Sequence, residues 1–327
     1  MTKRSAIRCP LDWSVLIPLE KRPDFITSQF HVKHHAIITY AADPFLLEKF
    51  FHHRFTSETF ADDAGKEHAF VSIVISQCEP LQQSRLQRWI DPGPYGCVNY
   101  RCMVQDKVFW RRSSWQFGTF VKSLYYCRLP RQVHGLPMYN AKVDLDVEFD
   151  QTKSRYSKFN IDCRGEGGVG PLRLQLRDTG VPVLQAPPFE GFDSNESMLA
   201  ALVFPTEYIT RGEGNWVYRQ PTQCTPFHPT VGVLEGTPQV GFLTETLQIG
   251  VDLSKPPHSV LLQDVVEDVQ ALQIEAHVED ENEPHSGTLS GVSGVNDRIQ
   301  RKAMNRNISF RDGIRDKVYT EAGKSLK

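Results

Sequence analysis

The stretch KVDLDVEFD, residues 142–150, alternates strictly between apolar and charged side chains. Successive side chains of a β-strand point to opposite faces, so the apolar odd-numbered positions 143–149 share one face. The acidic positions 144, 146 and 148 share the other face. A pattern with period two predicts a strand that is buried on one side and solvated on the other. It favours a mainly β fold.

Further elements follow on both sides of this strand. Apolar or β-branched runs predict strands at 36–40, 69–77, 98–104, 108–110, 158–164 and 172–176, and a hairpin at 207–218. Residues 105–107 are predicted to be a hairpin turn. Helices are expected at 43–51, at the aromatic-rich 115–126 and at 196–203, while 261–274 suits a helix or a strand. Asp43 can cap the first helix, and Pro44 suits its first position.

Composition excludes several functional classes. The 327 residues carry a formal net charge of -2 and are 40% hydrophobic, which allows a sizeable core but gives no field that attracts nucleic acid or anionic lipid. We expect no apolar run long enough to cross a membrane and no signal peptide. The seven cysteines are scattered without a paired spacing. Reduced thiols and a cytoplasmic location are therefore predicted.

Composition also predicts the domain organisation. Residues 1–35, interrupted by prolines, are expected to be an irregular N-terminal lead-in, and residues 36–274 form the β domain. From residue 275 onward the chain turns acidic, then rich in Gly, Ser and Thr, and finally basic. Such a composition cannot bury enough apolar surface to offset the entropy of ordering. Residues 275–327 are predicted to be a flexible tail.

The sequence gives few candidates for metal or phosphate chemistry. His31, His34 and His35 lie close together, but neither a carboxylate nor a cysteine stands at an established ligand spacing beside them. The glycine-rich stretch 165–170 lacks the Lys-Ser/Thr ending of a phosphate-binding loop. We therefore predict neither a metal site nor a cofactor. Arg101 is a stronger candidate, because a guanidinium inside an apolar strand needs an acidic partner or an anionic ligand.

Five short motifs occur together in a familiar order: NYR, GLPMYNA, PTEYIT, WVYR and PFHP, at residues 99–101, 135–141, 205–210, 216–219 and 226–229. Between residues 37 and 233 the chain resembles the DUF2071 or YqjF-like family, which is grouped with acetoacetate decarboxylase by fold. The resemblance implies a mainly β (α+β) protein. Its fold would be an acetoacetate-decarboxylase-like curved β-barrel or cone, with a few peripheral helices and a ligand cavity inside.

The resemblance also implies where catalysis would occur, and this chain departs from it there. Acetoacetate decarboxylases carry a Gly-Phe-Pro-Lys-Lys stretch, whose first lysine forms a Schiff base with the ketoacid and whose second lowers its neighbour's pKa. Here the corresponding positions are Met138 and Tyr139. A thioether is not such a nucleophile, and a phenol has an ordinary pKa of about 10. Lys142 lies further along the strand, beside Asp144. The decarboxylase mechanism is therefore not expected.

Three functions stay open at this point. The first is a small-molecule-binding barrel protein without the Schiff-base lysine pair, in which Arg101, Met138, Tyr139 and Asn140 line a site for a small organic acid. The second is an enzyme that acts on an organic acid or carbonyl compound, with Tyr139 and His134 as acid/base candidates. The third is a structural or interaction protein whose tail recruits a partner. The sequence does not indicate an oligomeric state.

The tail prediction can be tested directly. We expect limited proteolysis to remove the chain beyond about residue 275 and to leave a stable core, because exposed polar segments are preferred cleavage sites. Intact mass and N-terminal sequencing of the fragments identify the cut. Protection of residues 308–310 in the free protein would contradict this expectation.

Overall fold

The computed structural model describes most of the chain up to residue 277, in the following ranges: 28–62, 64–80, 93–108, 110, 112–122, 127, 136–166, 169–203, 207–211, 217–223, 228–271 and 275–277. These residues belong to one compact unit, Met1–Glu279. Most of the predicted lead-in and nearly all of the predicted tail lie outside the described residues.

Strands dominate the described residues. In chain order they are β1 (Ser28–Ala42), β2 (Phe55–Ser57), β3 (Thr59–Ala61), β4 (Glu67–Pro80), β5 (Tyr95–Asp106), β6 (Arg112–Val121), β7 (Met138–Asp150), β8 (Arg155–Gly165), β9 (Leu172–Pro182), β10 (Glu207–Arg211), β11 (Val217–Gln223), β12 (Thr230–Val240), β13 (Ser259–Ala271) and β14 (Glu275–His277). The α-helices are α1 (Pro44–Glu48) and α2 (Asn195–Leu202), with a 3₁₀ turn at Val183–Gln185 and a π turn at Phe242–Leu247.

All fourteen strands form one large curved sheet whose pairings return to their starting point. The circuit runs β5-β6-β7-β8-β9-β12-β13-β1-β4 and back to β5. Its neighbours are antiparallel except for the short parallel contact between β6 and β7. The β10–β11 hairpin pairs with two strands of the circuit. Its strand β10 pairs with β6, and its strand β11 pairs with β13.

Two apolar cores lie on opposite faces of this sheet. The larger, which we call the interior core, receives buried side chains from every strand of the circuit, including Tyr100, Phe120 and Phe159. Because all nine strands contribute to it, it lies inside the circuit. The smaller, which we call the α2-side core, contains Met103 of β5 together with Met198 and Leu202 of α2. It fills the space between the sheet and α2.

Several sequence predictions are confirmed. The strand at 142–150 is the greater part of β7, with its apolar side chains against the interior core and its charged side chains exposed. The strands at 69–77, 158–164 and 172–176 and the 207–218 hairpin are also present. Asp43 caps α1 by accepting a hydrogen bond from the Phe45 amide, although the helix ends at Glu48. The helix at 196–203 is α2, and the ambiguous 261–274 segment contains most of β13.

Three local predictions are wrong. Residues 115–126 do not begin a helix, because Arg112–Val121 is the strand β6. Most of this strand is buried on both faces, so its apolar run shows no period of two. Of the expected strand at 108–110, Val108 lies in the turn after β5 and Trp110 has a left-handed backbone with φ 53°. The lead-in was expected to be irregular up to residue 35, but β1 begins at Ser28. The pairing of β1 with β4 shifts register between Lys33 and Ala36, within the polar part of the strand.

Candidate functional site

A cavity of about 240 Å³ lies between the sheet and α2. Three stretches of chain supply its wall: the β2–β4 region, the β5–β6 hairpin, and α2 together with the segment that leads into it. The lining residues are Glu58, Thr59, Phe60, Phe70, Met103, Arg112, Gly191, Phe192, Asp193, Ser197, Ala201 and Leu202. The cavity therefore lies in the α2-side core, outside the circuit of strands. Ligand sites in proteins are commonly concave spaces that combine apolar surface with a few polar groups, and this lining contains both kinds of side chain.

One wall of the cavity is a stack of three phenyl rings, which we call the Phe stack. The rings of Phe60 and Phe70 are nearly parallel with centroids 3.9 Å apart, and Phe192 stacks on the other side of Phe70 at 5.3 Å. The three side chains come from β3, β4 and the loop before α2. Each ring restricts the next, so the stack is a rigid apolar part of the wall.

Gly191 permits this stack to form. Its φ of +79° is in the left-handed region that favours glycine, and a Cβ atom built on it would overlap the Phe60 ring. A larger residue would strain the backbone and push Phe60 away. The loop before α2 can therefore approach β3 closely enough to place Phe192 beside Phe70.

The polar edge of the cavity contains an ion pair. Nε of Arg112 lies 2.5 Å from Oε1 of Glu58, and the Glu58 side chain is 24% exposed while that of Arg112 is 62% exposed. Burial raises the pKa of the Glu58 carboxyl above its ordinary value, against the opposing charge and hydrogen bond of Arg112. Glu58 is thus a partly desolvated carboxylate in the turn between β2 and β3. Its backbone amide donates to the Met103 carbonyl at 2.9 Å, which fixes its position.

His258 lies behind the Phe stack. Its ring centroid is 4.5 Å from that of Phe70 and 5.7 Å from that of Phe60. Nε2 donates to the Glu190 carbonyl at 2.7 Å, which assigns the proton of the neutral ring to Nε2. Burial lowers the pKa of His258, so the ring supports the stack as a neutral group.

Tyr139, the predicted acid/base candidate, packs into the interior core. Its ring stacks on Phe120 at 4.8 Å and meets Phe242 edge-on at 5.7 Å. It also covers Gly118, where a Cβ atom would lie 2.7 Å from the Tyr139 ring. Met138 begins β7 next to it and is half-buried. Tyr139 therefore belongs to the filled inside of the circuit, while Met138 points to the other face of the strand, and neither residue lines the cavity.

Arg101 lies on the opposite face of the sheet from Tyr139. Its guanidinium is buried, donates to the Leu202 carbonyl at 2.6 Å and to the Tyr208 hydroxyl at 3.0 Å, and lies over the Tyr208 ring. Leu202 is the last residue of α2, so Arg101 satisfies a carbonyl at the negative end of the helix. The expectation that Arg101 faces the interior is wrong, because its strand position points it toward α2.

The remaining predicted residues do not join the cavity either. Asn140 is half-buried on β7 and hydrogen-bonds to Glu166. Lys142 is exposed and pairs with Asp144 at 2.5 Å. His134 lies outside the described residues. The structure thus brings Met138, Tyr139 and Asn140 together only as neighbours on one strand, and it separates all three from Arg101.

The polar groups of the interior are phenols and thiols that burial keeps protonated. The hydroxyls of Tyr40 and Tyr100 are buried, and within the described residues neither has a hydrogen-bond partner. Burial raises the pKa of Tyr40 to about 12 and raises that of Tyr100 as well. Burial likewise raises the pKa of the Cys163 thiol to about 12. Groups of this kind are poor general bases near neutral pH.

In the part of the chain that the structure describes, three or more His, Cys, Asp or Glu side chains do not come together in a group that could hold a metal ion. Within the same residues, the helices are too short and too polar for any to span a membrane.

Several solved structures are similar to this chain. One is an acetoacetate decarboxylase-like enzyme from Sphingomonas wittichii RW1, with a TM-score of 0.50 and 9% identity over 77% of this chain and 92% of that one. Acetoacetate decarboxylase from Legionella pneumophila gives 0.49 and 14% over 86% and 99%. The enduracididine biosynthesis enzyme MppR complexed with pyruvate gives 0.46 and 13% over 76% and 90%.

The match to the Sphingomonas enzyme shows an acetoacetate decarboxylase-like fold. It says nothing of activity, because the identity is far too low for residue roles to be carried over. Neither a protein-family model nor a curated protein matches the sequence.

The cavity was missed by sequence reasoning for a simple reason. Its polar pair, Glu58 and Arg112, lies more than fifty residues apart, and Phe192 lies further still. Only the spacing of Phe60 and Phe70 is local, and two phenylalanines ten residues apart are common in β proteins. No short motif therefore marks this site.

The position of Arg101 leads to a stability prediction. We expect Arg101→Met to lower the free energy of unfolding by roughly 2–3 kcal/mol, because a helix-end carbonyl and the half-buried Tyr208 hydroxyl lose a charged donor. Urea denaturation measures it. Arg177→Met is the control: Arg177 is an exposed partner of Glu235, and an exposed pair contributes about 1 kcal/mol or less. Wild-type stability of Arg101→Met would contradict the helix-end role.

Proposed function

We propose that this protein binds a small, partly apolar molecule without covalent chemistry, in the cavity beside α2. The observation that carries the proposal is the cavity itself, with the rigid Phe stack on one wall and a partly buried ion pair at its edge. A rigid apolar wall supplies affinity, and a few fixed polar groups supply orientation. At about 240 Å³ the space is somewhat below the range of roughly 300–1,000 Å³ for drug-sized ligands, so the ligand is small.

Noncovalent binding is supported by the residues at the positions that correspond to the lysine pair of acetoacetate decarboxylases. Met138 and Tyr139 offer no amine, and Tyr139 is held between Phe120 and Phe242 in the interior core. Lys142 is on the outer face of β7, in an exposed ion pair with Asp144 and away from both the interior and the cavity. A Schiff-base reaction therefore has no support among these residues.

An organic-acid ligand bound by Arg101 loses its original support. The Arg101 guanidinium is engaged by α2 and Tyr208, and it is absent from the cavity wall. The cation of the cavity is Arg112, which Glu58 already neutralises. Catalysis by Tyr139 with His134 is not carried further either, since Tyr139 packs among aromatic rings away from the cavity.

We infer a divergent member of the DUF2071 or YqjF-like family, for which the five short motifs are the support. A curved barrel or cone is favoured by the circuit of strand pairings, whose nine strands all contribute to one core. A cytoplasmic location rests on the sequence composition alone.

The cavity can be closed to test binding. Ala201→Leu places a larger side chain on the buried, cavity-facing side of α2, and Ala200→Leu places the same side chain on its exposed side. We expect saturation-transfer NMR with phenethyl alcohol to detect binding to the wild type and to Ala200→Leu but not to Ala201→Leu. Undiminished binding to Ala201→Leu, or absence of binding to the wild type, would overturn the proposed site.

The absence of imine chemistry has its own test. After incubation with acetoacetate and borohydride, we expect the intact mass of the protein to equal that of a sample treated with borohydride alone, because Met138 and Tyr139 cannot form a reducible imine. A stoichiometric adduct on any lysine would refute the noncovalent proposal. Peptide mapping would then identify the lysine.

A further inference from the structure

The charges around the cavity are unbalanced. Two carboxylates, Glu58 and Asp193, line it together with one guanidinium, that of Arg112, so the wall carries a surplus of one negative charge. Arg112 pairs with Glu58 and is the more exposed partner. Asp193 is exposed and stands next to Phe192 in the loop before α2. A charged group of a ligand is therefore stabilised in the cavity if its charge is positive.

The lining residues also disfavour an anion. The Phe stack supplies the apolar part of the wall, against which an apolar group packs, and it carries no charge that would offset the two carboxylates. A carboxylate ligand would also have to take Arg112 from Glu58, which would leave a partly buried acid without its cation.

Shape limits the size of the occupant. A volume of about 240 Å³ corresponds to roughly eight water molecules at about 30 Å³ each. This suits one aromatic ring with a short side chain. Ala201 and Leu202 of α2 form part of the opposite wall, so a larger ring system would meet the helix.

We propose that the cavity binds a small primary ammonium with a flat apolar body, whose ring lies against the Phe stack and whose ammonium group is held by Glu58 and Asp193. The inference rests on the proposed function and adds the chemical class of the ligand to it. The ammonium donates a charge-assisted hydrogen bond to the Glu58 carboxylate, which the Met103 carbonyl and Arg112 hold in place.

Three probes of similar shape separate the contribution of the ligand's charge to binding from that of its apolar body. They are phenethylamine, phenethyl alcohol and hydrocinnamate, and each is titrated by calorimetry at neutral pH. We expect the wild type to bind the amine about tenfold more tightly than the alcohol, as a charge-assisted hydrogen bond predicts, and the carboxylate most weakly. Glu58→Gln keeps the shape and removes the charge. It should bring the amine and the alcohol to similar affinities and leave the alcohol's own affinity unchanged.

Glu196→Gln is the matched control. Glu196 is an exposed acid in the first turn of α2 that does not line the cavity, so this variant should keep the tenfold preference for the amine. Asp193→Asn provides a second cavity variant should Glu58→Gln fail to fold, and it should also reduce the preference. An unchanged preference in folded Glu58→Gln and in Asp193→Asn would overturn the proposal.

The outcomes distinguish this inference from the proposed function. If the alcohol binds as tightly as the amine and Ala201→Leu abolishes both, the cavity binds ligands and the ammonium inference is wrong. If hydrocinnamate binds most tightly, the ligand is an acid and the inference is equally wrong. If none of the three probes binds, or Ala201→Leu binds them all as the wild type does, the proposed function itself fails.

Discussion

The pairing of β5 with both β4 and β6 is the constraint on which the rest of the structure depends, because it joins the two ends of the strand path into a circuit. Once the circuit is joined, each strand has one face inside it and one face outside. The inside is occupied by a continuous core with aromatic groups such as Tyr100, Phe120 and Phe242. Polar and ligand-accessible surface is consequently created on the outside, where α2 covers part of the sheet.

The same constraint explains on which face of the sheet each motif residue lies. On β5, Tyr100 contributes to the interior core, and Arg101, the next residue, is directed to α2. On β7, Tyr139 packs inside and its neighbours begin the exposed charged face. A motif of adjacent residues on a strand therefore divides between two environments. The sequence resemblance grouped these residues into one site, and strand geometry separates them.

Much of the fold could be predicted from the sequence, because its strongest signals are local. The alternation in β7, the cap of α1 by Asp43 and the 207–218 hairpin all depend on neighbours within a few residues. β6 could not be predicted, since burial on both faces removes the period that marks a strand. The cavity could not be predicted because Glu58, Phe192 and Ala201 come together only after the whole circuit and α2 have packed. The choice of partner for Arg101 also depended on this tertiary arrangement.

The central claim is that this fold binds its ligand outside the circuit, against the Phe stack, rather than in the interior. A crystal structure of the protein soaked with phenethylamine tests it most directly. The account predicts electron density for the ring beside Phe70 and Phe192, with the amine nitrogen within hydrogen-bond distance of the Glu58 carboxylate. Density for the ligand beside Tyr139 or Tyr100, with an empty space at the Phe stack, would contradict it.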